Sequence, residues 1–135
     1  MYEDKKMKLV IGGYAQGKCS YVCEQWKIMK ENVLDGELPE NVKQEMCSDV
    51  VVIDHFQLWV KKRLEEGGNP EEEVMSFVDN SPNCIIISDE LGNGIVPIDP
   101  FERAYRERTG RILITLAKRA DEVERVICGI GQKLK

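Results

Sequence analysis

An α/β domain on a mainly parallel sheet is the fold class this sequence predicts, and three observations predict it. A short apolar strand, Met7 to Ile11, runs straight into Gly12-Gly13 and then into a segment with helical spacing. Two further apolar runs, Val50-Val51-Val52-Ile53 and Cys84-Ile85-Ile86-Ile87, are continuous rather than alternating, the mark of strands buried on both faces. Helical patterns follow each of them, and strands that alternate with helices give parallel pairing with helices covering the sheet, a three-layer sandwich.

The elements follow in order. Lys18 to Lys30 has helical spacing through Val22, Trp26 and Met29. Val33-Leu34 reads as a remnant strand before Asp35-Gly36, and Pro39 to Met46 as a short helix. The strand Asp49 to Asp54 ends in a carboxylate. A helix from Phe56 to about Glu66 stops at Gly67-Gly68-Asn69-Pro70, and another runs from Glu71 to Val78 before Ser81-Pro82-Asn83 breaks it. Its acidic start, Glu71-Glu72-Glu73, suits a solvated first turn favoured by the helix dipole. The strand from Cys84 ends in Ser88-Asp89-Glu90, ahead of the loop Leu91-Gly92-Asn93-Gly94. Asp99 as N-cap, Pro100 at the first helical position and Glu102 three residues after the cap announce a helix. It carries apolar residues at Phe101, Tyr105, Ile112, Leu116 and Ala120 and should end near Asp121. Glu124 to Cys128 is a final core strand, and Gly129-Ile130-Gly131 turns the chain into a short C-terminal edge strand, Gln132 to Lys135.

Composition bounds the function. With 135 residues, the expectation is one domain over residues 1–135. A content of 42% hydrophobic and 32% charged residues is that of an ordinary soluble protein, and no apolar run approaches the roughly 20 residues of a membrane helix. Met1 to Lys8 lacks a signal-like apolar stretch, so a cytoplasmic location is expected. Five scattered cysteines without a CxxC pair fit reduced, mostly buried thiols. A net charge of -5 argues against gripping a nucleic-acid backbone and favours a small-molecule partner.

Gly12-Gly13-Tyr14-Ala15-Gln16-Gly17-Lys18 matches the G-x-x-x-x-G-K core of a P-loop, in which backbone N–H groups wrap a phosphate chain at a helix N-terminus. The strand before it and the helix after it supply the required context. Lys18 is expected to neutralise β- and γ-phosphates of ATP or GTP. Where a P-loop places a Ser or Thr hydroxyl on Mg2+, this chain has Cys19, a soft ligand poorly matched to a hard cation, and Ser20 next to it is turned about 100° away. The candidate nucleotide site is therefore Gly12 to Ser20. Asp54, at a strand end, reads either as a Walker B-type acid that holds Mg2+ or as an N-cap for the helix after it. Glu90 is a candidate for orienting a substrate hydroxyl or a metal-bound water. Arg103, Arg106 and Arg111 form a solvated face or meet phosphate. His55, the sole histidine, reads as a hydrogen-bonded structural residue.

From Ser88 to Lys135 the chain resembles the C-terminal part of the cobinamide kinase / cobinamide-phosphate guanylyltransferase family. That family's pattern is N-E-V-G-x-G-I-V-P, then F-R-D-x-x-G, A-D-E-V and a closing G-I before a final Ile- or Leu-Lys. The counterparts here are Asp89 to Pro97, Tyr105-Arg106-Glu107 with Gly110, Ala120-Asp121-Glu122-Val123, and Gly129-Ile130 with Leu134-Lys135. Its G-G-x-R-S-G-K-S loop likewise resembles Gly12 to Cys19. The resemblance implies a P-loop NTPase-like fold, phosphorylation of adenosylcobinamide followed by guanylyl transfer through a histidine, a role in cobalamin biosynthesis, and trimeric assembly. The family's arginine and serine are replaced here by Ala15 and Gln16, its loop serine by Cys19, and an Asn-Gln pair by Leu113-Ile114. The interval between the P-loop helix and Val50 is short and holds no histidine, so guanylyl transfer is expected to be lost. Two functions follow: a reduced kinase using Lys18, Asp54 and Glu90, or a non-catalytic nucleotide- or corrinoid-binding paralogue.

Overall fold

The computed structural model describes residues 6–39, 50–81, 83–91 and 98–135. Its sheet has six strands: β1 (Met7–Gly12), β2 (Val33–Asp35), β3 (Val51–Asp54), β4 (Cys84–Asp89), β5 (Glu122–Ile127) and β6 (Ile130–Lys133), in the order β2-β3-β4-β1-β5-β6. All pairings are parallel except β5 with β6. The helices are α1 (Lys18–Trp26), α2 (Phe56–Glu65), α3 (Pro70–Asn80) and α4 (Pro100–Arg119). The predicted helix over Pro39 to Met46 lies outside the described residues from position 40 on, and the loop Leu91 to Gly94 from position 92 on.

Strand alternation sorts the side chains into two cores. Met7, Leu9, Val51, Ile53, Cys84, Ile86 and Val123 pack under α2, α3 and α4 with Phe56, Trp59, Phe77, Tyr105 and Leu116. On the opposite face Val10, Val52, Ile85, Ile87 and Val126 meet Val22 of α1. Both faces of the central strands are dry, which explains why their sequences are unbroken apolar runs. The architecture is the expected three-layer, P-loop NTPase-like sandwich, and no helix among the described residues is long and apolar enough to cross a membrane.

The α1 face also buries charge. Lys8, 8% exposed, sits on β1 beside β5, where it bonds Glu124, lies 3.6 Å from Glu122 and stands 4.9 Å from the Trp26 ring centre. Tyr21 of α1 donates to Glu124 at 2.5 Å. Burial pushes the Glu124 carboxyl up, but the bonds from Lys8 and Tyr21 outweigh it and hold the pKa below the ordinary value. These contacts fix α1, and so the loop ahead of it, against β1 and β5. Beside Lys8, at the start of β1, Asp121 clamps Met7: its carboxylate accepts from Met7 N at 2.8 Å, and its N–H donates to Met7 O at 2.8 Å.

Several expectations need correction. Helix α1 ends at Trp26, because Lys27 adopts a left-handed conformation (φ 53) and closes it. The last turn is Cys128-Gly129, not Gly129 to Gly131. Both residues have positive φ, as a two-residue hairpin with Ile127 opposite Ile130 requires, so the edge strand begins at Ile130. The glutamates opening α3 are not merely solvated: Glu71 takes Arg108 of α4 at 2.6 Å and Glu73 takes Arg63 of α2 at 2.7 Å, tying three helices together. Of the described cysteines Cys84 is buried, Cys19 and Cys23 are half-buried and Cys128 is exposed, so mostly buried was too strong.

Glycine substitutions separate two kinds of position. A Cβ on Gly12 would lie 2.6 Å from the Val126 carbonyl oxygen, so Gly12→Ala is expected to cost about 1–3 kcal/mol. A Cβ on Gly110, inside α4, meets nothing within 4 Å, so Gly110→Ala is expected to stabilise by about 0.5–1 kcal/mol. Urea denaturation of the two variants checks both signs.

Candidate functional site

The loop between β1 and α1 is shaped by its backbone. Gly17 has φ 82 and Ala15 φ 56, a left-handed conformation that glycine adopts freely and alanine seldom. Gln16 ties this loop to the β5–β6 hairpin: its side-chain oxygen accepts from Cys128 N at 2.7 Å and its carbonyl from Gly129 N at 2.8 Å. Lys18 opens α1 and is 7% exposed. Its ammonium donates to Gly13 O at 2.7 Å and lies 2.7 Å from Asp89 Oδ1. A pocket of about 270 Å³ opens here, lined by Tyr14 through Ser20 with Asp54, His55 and Asp89.

Parallel register supplies the acids. Asp89 pairs opposite Gly12 and Asp35 opposite Asp54, so the carboxylates emerge at the carboxyl edge of the sheet, where open parallel sheets place ligands. Asp89 is further held by Gln57 of α2, which accepts from its N–H at 3.1 Å, while Tyr105 of α4 donates to the Gln57 carbonyl at 2.8 Å. Burial and the neighbouring Asp54 carboxylate push the Cys19 thiol up to about 12, so it stays a neutral thiol against Asp54. His55 has φ 52, and its Nδ1 lies 2.5 Å from Asp35 Oδ1 and 3.5 Å from Asp54 Oδ2.

Of the expected site residues, Tyr14 to Ser20 and Asp54 line one pocket. His55, not Asp54, precedes α2, and the Asp54 carboxylate accepts from His55 N at 2.8 Å, so the N-cap expectation for Asp54 is not met. Glu90 does not line the pocket. Its carboxylate is held by Arg125 of β5 at 3.1 Å, and its N–H donates to Gly12 O at 2.8 Å. Arg111 pairs with Glu107 along the exposed face of α4, the solvated reading. Asp35 and Gln57 were not singled out from the sequence, and of the acidic strand end Asp89-Glu90 only Glu90 was given a role. Period-two counting was the available signal for Asp89: it shares a parity with Ile85 and Ile87, which face α1, whereas Glu90 has the other parity.

The Asp35 hydrogen bond raises the pKa of His55; burial opposes this, and the charges of Asp54, Asp35 and Asp89 add to the rise. A histidine whose pKa is raised on folding contributes stability that is fully present below its unfolded value of about 6.5 and is lost as pH rises through the folded value. In protein freed of metal by a chelator, the imidazole proton resonance of this sole histidine is expected to titrate above 6.5, and Asp35→Asn to lower the midpoint. A wild-type midpoint at or below 6.5 contradicts the pairing.

Comparison with known proteins agrees with this architecture. The family model described as cobinamide kinase / cobinamide phosphate guanyltransferase matches residues 23–134. The chain is 26% identical over 147 aligned residues to the bifunctional adenosylcobalamin biosynthesis protein CobU of Escherichia coli (strain K12), covering 98% of this chain and 80% of that protein. It is 35% identical over 69 residues to the protein of the same name from Salmonella typhimurium (strain LT2), covering 48% of this chain and 38% of that one. With a family match that takes in most of the sheet and three of the four helices described, the chain belongs to the cobinamide kinase / cobinamide phosphate guanyltransferase family.

Proposed function

We propose that this chain binds ATP or GTP on Gly12 to Ser20 and transfers the terminal phosphoryl group to a hydroxyl of adenosylcobinamide, and that guanylyl transfer has been lost. The observation that carries the reading is the meeting of the Lys18 ammonium, the α1 N-terminus and the carboxylates of Asp54 and Asp89 across one pocket. The family's printed activities supply the substrate class. The loss of guanylyl transfer rests on the absence of any histidine between α1 and β3.

In this reading the loop N–H groups and Lys18 bind the triphosphate, whose oxygens replace the Asp89 carboxylate as partner of the ammonium. Released from Lys18, Asp89 stands at the same edge to meet the incoming hydroxyl. Glu90, held by Arg125, supports that strand end. Kinases of this type use Mg2+, which neutralises charge on the phosphate oxygens when bound. The donors fit it in part. Asp54 offers a hard carboxylate, suited to direct or water-bridged contact, whereas Cys19 is a neutral thiol and a poor ligand for it. That same thiol favours a second reading, a non-catalytic nucleotide- or corrinoid-binding paralogue.

Calorimetric titration of ATP and GTP, with and without Mg2+, tests the first step. Lys18→Ala is expected to weaken nucleotide binding by about 10–100-fold, the equivalent of one charge-assisted hydrogen bond. Wild-type protein that binds neither nucleotide sinks both readings. Cys19→Ser then separates them: a hydroxyl at this position is expected to raise Mg2+-dependent phosphorylation of adenosylcobinamide in a kinase, and activity absent from both forms points to the paralogue.

A further inference from the structure

The carboxyl ends of β2 and β3 form a second constellation beside the phosphate loop. Because the strands pair in parallel with Asp35 opposite Asp54, both carboxylates leave the sheet at one level. The left-handed backbone of His55 carries its ring to Asp35, where Nδ1 lies 2.5 Å from Oδ1. One donor atom from each of the three residues falls within 4.8 Å of the other two. Asp54 and His55 also line the pocket that contains Lys18.

We propose that Asp35, Asp54 and His55 together bind a first-row divalent transition ion, of the class of Mn2+ or Zn2+, at the rim of this pocket. The donor chemistry selects that class. Carboxylates alone suit Mg2+ and Ca2+, but an imidazole nitrogen moves the preference towards the transition series. Metal–donor bonds of about 2.0–2.2 Å place two donors on one ion roughly 3–4 Å apart, a separation the present cluster spans. Seating the ion needs Asp35 and the imidazole to part slightly, and the Asp35 side chain, 72% exposed, has room to move. Three protein donors leave coordination positions open, and two of the donor residues, Asp54 and His55, line the pocket where phosphate oxygens are expected. No donor of the site comes from the glycine loop, but Asp54 is shared with the Mg2+ of the proposed function, so metal binding is measured in the absence of nucleotide.

The experiment uses the full chain, freed of metal by a chelator, with the imidazole resonances of its sole histidine as the readout. Cys19 stands against Asp54, so a Cys19→Ala sample is run in parallel to remove the thiol as a source of any change in that signal. Substoichiometric Mn2+ is expected to broaden the His55 resonances and stoichiometric Zn2+ to shift them, with Mg2+ in about hundredfold excess unable to reverse either effect. Asp35→Asn and Asp54→Asn are each expected to weaken the ion by at least about tenfold, the size that loss of even an outer partner produces. Lys18→Ala, expected to weaken nucleotide binding, should still show the Zn2+-induced shift of the His55 resonances. Imidazole resonances indifferent to stoichiometric Mn2+ and Zn2+, or an Asp35→Asn variant that binds as tightly as the wild type, overturn the proposal.

Discussion

Parallel registration of four strands is the constraint on which the rest of this molecule depends. Gly12 pairs with Asp89 across β1 and β4, and Asp35 with Asp54 across β2 and β3. Because each strand ends at nearly the same level, the sheet delivers its polar residues to one edge without any long loop to carry them. Apolar runs buried on both faces lock that register, since a slip of one residue would turn every side chain to the opposite layer. The chemistry at the edge therefore inherits its precision from Val52, Ile53, Ile86 and Ile87, none of which touches it.

Around that edge, unrelated elements brace one another. The Lys8–Glu124–Tyr21 cluster holds α1 against the sheet from below, the hairpin at Cys128-Gly129 holds the loop from the side through Gln16, and Gln57 holds Asp89 from the helices on the other face. Burying an ammonium and a carboxylate is costly unless each is fully partnered. Here Lys8 has two carboxylates and an aromatic face, and Glu124 has an ammonium and a phenol. The price in desolvation is met by fixing the helix whose first residue is Lys18.

The fold was largely legible because its signals are local. Gly12-Gly13 after an apolar strand, Asp99-Pro100 ahead of a helix and Asn69-Pro70 ahead of another each carry their own backbone logic, and the structure places an element boundary at all three. That the glycine loop follows a strand and Asp54 ends one was legible for the same reason. What was hidden depended on partners far away in sequence. The turn at Cys128-Gly129 needed the pairing of Ile127 with Ile130 to fix it, and a cysteine at positive φ announces nothing beforehand. Glu71 and Glu73 look like a solvated turn until Arg108 and Arg63 arrive from other helices. Asp89 and Glu90 are adjacent and chemically alike, and only strand parity, set by what lies above and below the sheet, tells which of them stands beside Lys18. His55 is hydrogen-bonded, as expected from the sequence, but its partner Asp35, twenty residues away, leaves no trace in spacing.

The tie between Gln16 and the hairpin has a consequence for what the loop presents to an anion. A loop that wraps phosphate must turn its N–H groups inward, and every carbonyl left facing the same space repels the ligand. Two of those carbonyls are already engaged: the oxygen of Gln16 takes the Gly129 N–H, and the oxygen of Gly13 takes the Lys18 ammonium. The hairpin thus acts as an electrostatic mask, drawing one negative dipole end of the loop away from its concave side. A C-terminal edge strand that looks peripheral in the sheet order consequently helps set the sign of the potential at the glycine loop.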